Sequence, residues 1–107
     1  MTTQTNTPSQ LLGQINNQTK PIDDTVNNHL IILRPEIEKR TRTYTNFKPL
    51  HYKTQMVSGT NYFVKIHVGD NDSDECIHVR FYRDLQNNLS LHSLSENRTL
   101  TEHISFF

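Results

Sequence analysis

The sequence predicts an α+β domain in which one long helix lies on one face of an antiparallel sheet. Two periodicities and their order carry that expectation. Apolar residues recur at helical spacing between residues 22 and 37, then alternate with polar ones from Phe47 onward, and the alternating runs are joined by short turn signals rather than by further helices.

Within PIDDTVNNHLIILRPEIEKRT, Ile22, Val26, Leu30, Leu33 and Ile37 stand at steps of four, four, three and four, one stripe along a helix. Pro21, Asp23 and Asp24 suit the first turn, where proline loses no useful N–H and acids face the positive end of the dipole. Lys39, Arg40 and Arg42 suit the last. The helix is expected over about residues 22–40. Pro35 conflicts with it, because inside a helix proline removes the hydrogen bond to the carbonyl of Ile31. The stripe resumes in phase at Ile37, which favours a single kinked helix over two.

The strands follow. TNYFVKIHV sets Tyr62, Val64, Ile66 and Val68 against Phe63, Lys65 and His67, and CIHVRFY sets Ile77, Val79 and Phe81 against His78 and Arg80. Between them GDNDSDE reads as a turn. A shorter strand at about 50–56 precedes, and LSLHSL follows the turn signal QNN. With the helix on one face, the other face is expected to stay partly wet.

A chain of 107 residues is expected to form a single domain over 1–107, burying roughly two-thirds of its unfolded surface. Only 33% of the residues are hydrophobic and the mean hydropathy is −0.71, so apolar residues must be concentrated on few faces. Residues 1–19 are polar and turn-prone apart from Leu11 and Leu12, and are expected to form a mobile trunk. Eleven basic residues balance eleven acidic ones, which argues against nucleic acid and anionic membrane as partners. The opening MTTQTNTPSQ lacks the pattern of a secretory signal, and the single cysteine, Cys76, forms no internal disulfide; both point to the cytoplasm. The sequons at Asn17, Asn71, Asn88 and Asn97 are accordingly read as unmodified.

Catalytic and metal sites find little support. None of the six histidines pairs at i,i+4, and HExxH and paired CxxC patterns are absent. His67 and His78, which the alternation allows to face each other across a hairpin, are read as ordinary sheet-surface histidines. DNDSDE imitates the start of an EF-hand loop, but Glu75 replaces the turn glycine and Phe81 the bidentate acid. Cys76 near His78 lacks any orienting group or oxyanion hole. The glycines Gly13, Gly59 and Gly69 form no phosphate loop. The expectation is a binding protein, with no enzyme activity, metal or cofactor.

QMVSG, residues 55–59, lies between two strands and puts Met56 and Val57 at a turn, followed by the small residues Ser58 and Gly59. Such a tip either folds back on its own sheet or waits for a partner, whose groove its small residues would let the backbone enter.

KTQMVSGTNYFVKIHVGDN closely resembles the central segment of the stefins, the type 1 cystatins, whose hallmark is Gln-Val-Val-Ala-Gly followed by Thr-Asn-Tyr. Gln55, Val57 and Gly59 match that hallmark, while Met56 and Ser58 depart from it. RPEIEKRT resembles the end of the family helix, which often carries a proline like Pro35. Gly13 falls where the family places its N-terminal glycine, and LTEHISFF resembles its aromatic C-terminal end.

The resemblance implies the cystatin fold, a helix wrapped by a curved antiparallel sheet, and the activity of an intracellular inhibitor of papain-like, cathepsin-type cysteine proteases. It implies a wedge of three parts. Leu11 and Leu12 would enter the non-primed pockets, with Gly13 turning the chain away from the thiolate. Gln55, Met56, Val57, Ser58 and Gly59 would cover the catalytic groove, and Leu85, Gln86 and Asn87 would reach the primed side. The family commonly has Leu-Pro and a longer loop in the second hairpin, so a different or weaker primed-side contact is expected here. The region before Leu11 is longer than usual and the GDNDSDE turn slightly expanded. The alternative function is an interaction module of the same fold that no longer inhibits proteases; the expected state is a monomer, with a strand-exchanged dimer as the alternative.

Overall fold

The computed structural model describes residues 14–107. Their elements run β1 (Lys20–Pro21), α1 (Asp24–Arg40), β2 (Lys48–Val57), β3 (Gly59–His67), β4 (Glu75–Arg83) and β5 (Leu89–Thr99). The strands form one sheet in the order β1-β2-β3-β4-β5, antiparallel throughout.

The helix starts two residues later than its apolar stripe suggests, because the sheet takes the residues before it. Pro21 pairs with His51, and the Ile22 N–H donates to the Leu50 carbonyl at 3.1 Å. Asp23 is the N-cap: its carboxylate accepts from the Val26 N–H at 2.9 Å and, through its other oxygen, from the Tyr52 hydroxyl at 2.7 Å. These bonds, the Val26 one foremost, hold the Asp23 carboxyl below its ordinary range. The same side chain therefore caps the helix and ties it to β2. Lys39 and Arg40 occupy the last turn, and the helix is one element through Pro35. Pro35 and Ile31 are both exposed, so the ladder bond that proline removes is lost where water can solvate the carbonyl.

Val26, Leu30, Leu33 and Ile37 are buried against Tyr62, Val64, Ile66 and Val68 of the β3 run and Ile77, Val79 and Phe81 of β4. Leu89, Leu91 and Leu94 of β5 complete this layer at its margin. The Tyr62 and Phe81 rings stack at 4.7 Å.

The opposite face departs from the expectation of a wet surface. Phe63 and Cys76 have no accessible surface, and Lys65 and His78 are buried. Residues 100–107 supply the cover. Phe63 meets the rings of Phe106 and Phe107 at 5.7 and 5.8 Å, and the Arg80 guanidinium lies over Phe63 and Phe106 while donating to the Phe107 carbonyl at 2.8 Å. Lys65 donates to the Leu100 carbonyl at 2.6 Å. Alternation reports which residues share a face but not whether a distant segment will cover that face, which is why the cover escaped the sequence.

The histidine reading is corrected in the same place. His67 pairs with Cys76 and His78 with Lys65, so the two imidazoles do not face each other. His78 is not a surface residue: burial, reinforced by the charges of Lys65 and Arg98, pushes its pKa down to about 4.

Strand β5 forms the far edge of the sheet. Its register shifts where Arg80 pairs with Ser93 but Phe81 with Leu91, skipping His92. At that irregularity Arg40 of the helix donates to the Leu91 and His92 carbonyls, each at 3.3 Å.

Candidate functional site

The β2–β3 and β4–β5 hairpin turns lie at one end of the sheet, because Thr60, at the start of β3, pairs with Arg83, at the end of β4. The first joins β2 to β3 through Ser58 alone, with Val57 opposite Gly59 and Met56 opposite Thr60. Met56 is 52% exposed, Ser58 is exposed and Val57 half-buried, so the apolar tip does not fold back into the core. Gln55 is buried instead, and its side-chain oxygen accepts from Asn61 Nδ2 at 2.8 Å.

Gly59 has φ +104°, the left-handed region that side-chain-bearing residues avoid. A Cβ there would also stand 2.5 Å from the Arg83 carbonyl oxygen and 2.7 Å from the Tyr82 hydroxyl. The tip is thus seated directly on the end of β4, and the Tyr82 hydroxyl donates to the Ser58 carbonyl.

The second hairpin turns through residues 84–88 and is organised by one carboxylate. Asp84 Oδ1 accepts from the Gln86 and Asn88 N–H groups at 2.8 and 2.9 Å, and Oδ2 accepts from Asn88 Nδ2 at 3.1 Å. Hydrogen bonding, that of the Asn88 backbone first, holds the Asp84 carboxyl below its ordinary range. Arg83 donates to Asn87 Oδ1 at 2.8 Å and to the Tyr62 hydroxyl at 3.3 Å. Asn87 adopts φ +70°, which asparagine tolerates better than most residues. Leu85 projects with 73% of its surface exposed, and Gln86 and Asn87 are exposed beside it.

A third segment arrives at the same end. Ile15 bridges to Gln55, and the Asn16 N–H donates to the Thr54 carbonyl at 2.6 Å. Leu11, Leu12 and Gly13 lie outside the described residues, which begin beside the first hairpin at Gln14. The arrangement therefore brings together Gln55 through Gly59, Leu85 through Asn87 and the N-terminal segment from Gln14 onward.

Sequence reasoning missed Tyr82, Arg83 and Asp84. Asp84 carried a local signal, an aspartate two residues before the exposed QNN turn, in position to bond the following backbone. Tyr82 and Arg83 carried none that could be read without the register of β3 on β4.

Among the described residues no group of three His, Cys, Asp or Glu is arranged to hold a metal ion. Burial pushes the Cys76 thiol up, the opposite of what a thiolate nucleophile needs. Among the described residues no helix is long and apolar enough to cross a membrane.

The family model of the cystatin domain matches residues 13–101. The chain belongs to the cystatin family. This cystatin is similar to Cystatin-B of Macaca fuscata fuscata, with 36% identity over 73 residues that cover 65% of this chain and 71% of that protein. Cystatin-B of Oplegnathus fasciatus is 40% identical over 73 residues, covering 65% and 70% of the two chains. Leukocyte cysteine proteinase inhibitor 1 of Sus scrofa is 39% identical over 54 residues, half of each chain. Together the likenesses make this a cystatin of the stefin type.

Proposed function

We propose that this cystatin is a reversible, competitive inhibitor of papain-like cysteine proteases, acting in the cytosol as a monomer without catalysis or cofactor. The observation that carries the reading is the convergence of two exposed apolar tips, Met56 and Leu85, at the one end of the sheet that the N-terminal segment also reaches. Names of the related proteins, cysteine proteinase inhibitor among them, support the target class. The single buried cysteine suits a reducing compartment.

In this reading the first hairpin enters the catalytic groove. Its one-residue turn keeps it narrow, and Met56 with Val57 supplies apolar surface, each contributing about 1.5–3 kcal/mol when buried. Leu85, Gln86 and Asn87 cover the primed side. Leu11 and Leu12 occupy the non-primed pockets, with Gly13 bending the backbone past the enzyme's thiolate. Gln55 acts from behind, its bond from Asn61 fixing the base of the tip. An interface of about 800 Å² per partner is typical for a protease and its inhibitor.

Titrating papain with the purified chain tests the proposal. Activity should fall with added protein and recover as substrate concentration rises; undiminished activity at large molar excess refutes it and favours a non-inhibitory interaction module. Deleting residues 1–12 should chiefly speed dissociation from papain, since most affinity changes within one interface appear in the off-rate. An off-rate equal to that of the full chain would remove the trunk from the mechanism.

A further inference from the structure

We infer that Tyr82 is a positioning residue for inhibition, its hydroxyl bracing the first hairpin tip in the form that enters the protease groove. The inference rests on the function proposed above, since it concerns how that tip is presented.

The turn has only Ser58 between its two strands, so it has no room for an internal scaffold of side chains like the one Asp84 builds next door. What holds it comes from β4. Tyr82 stands opposite Asn61 in the β3–β4 register, and Asn61 stands opposite Gln55 in the β2–β3 register. Gln55, Asn61 and Tyr82 therefore form one row across three strands, all on the face opposite the helix. Asn61 bonds Gln55 within that row, and the Tyr82 hydroxyl reaches past it to the Ser58 carbonyl at the apex. Gly59 permits this approach, because any Cβ there would collide with that same hydroxyl and with the Arg83 carbonyl. The apex carbonyl is exposed and would otherwise bond only water. Holding it to β4 removes motion that binding would have to freeze, and ordering lost before the encounter is not lost again in the complex.

The test replaces Tyr82 by Phe, which keeps the ring and deletes the donor. Amide hydrogen exchange of residues 57–60 in the free protein, the thermal midpoint and the off-rate from papain are measured together. Expected are exchange and an off-rate faster by about twofold to tenfold, the range for one net hydrogen bond, with helix amides and thermal midpoint close to those of the parent. Exchange at 57–60 equal to the parent overturns the inference. So does loosening of the tip by Tyr82→Leu alone, which would assign the role to ring packing instead of the hydroxyl. Should the parent chain fail to inhibit papain, the proposed function falls, while the exchange data still decide whether the hydroxyl holds the tip.

Discussion

In the first hairpin one residue, Ser58, reverses the chain, and its shape is imposed from outside by the Arg83 carbonyl beneath Gly59 and the Tyr82 hydroxyl on Ser58. In the second, residues 84–88 reverse the chain and hold themselves largely through an aspartate that gathers two backbone N–H groups and one side-chain amide, with Arg83 alongside bonding Asn87. Neighbours a few ångströms apart thus obtain rigidity in opposite ways. A loop fixed by its surroundings can present a thin tip with little polar furniture, whereas a self-organised loop must devote its own side chains to holding its form. That contrast fits a division in which the first hairpin penetrates and the second covers.

The largest expected effect is that of Val57→Asp. A carboxylate in a dry protease groove lacks a partner, so binding to papain should weaken by several kcal/mol, about a thousandfold in the inhibition constant. An unchanged constant would mean that the thin tip is not what penetrates. Gly59→Ala should follow: positive φ and overlap with the Arg83 carbonyl together cost on the order of 1–3 kcal/mol of stability, read in urea unfolding, and the tip should be displaced. Were Gly59→Ala as stable as the parent, the first hairpin would not be held from outside.

Asp84→Ala tests the other half of the contrast. It should raise amide exchange across residues 85–88 while leaving 57–60 unchanged, and weaken papain binding by less than about tenfold. The smallest effect is that of pH on the same carboxylate. Its pKa is lowered on folding, so its bonds contribute above the ordinary aspartate value of 3.8 and are lost as pH falls through the still lower folded value. Exchange at 85–88 should rise below pH 3.8 before that at 57–60; simultaneous loosening would show that the loops share one support.

Much of this was legible in local pattern. The burial of Val26, Leu30, Leu33 and Ile37 follows directly from their spacing, and QMVSG read as a turn because two alternating runs flank it, although those runs left open whether its tip folds back. The helix start was misplaced by two residues because Pro21 and Ile22 answer to β2, a partner some thirty residues away in the sequence. The covered outer face was missed for a similar reason: Phe63 and His78 alternate like surface-facing positions, and it is the return of residues 100–107, Phe106 and Phe107 among them, that makes that face an interior. At the site, Tyr82 and Arg83 meet Ser58 and Gly59 through a register set by two strands and the turn between them, so nothing adjacent to them announced that contact.

The irregularity at His92 has a consequence for the chain in a crowded cell. An outermost strand ordinarily offers its carbonyls as a template on which another polypeptide can add, the first step toward fibres. Here the skipped residue disrupts the even spacing such growth requires, and Arg40 reaches from the helix to occupy the two carbonyls beside it. A single guanidinium from the helix thus caps part of an eleven-residue border where a further strand would otherwise find free acceptors.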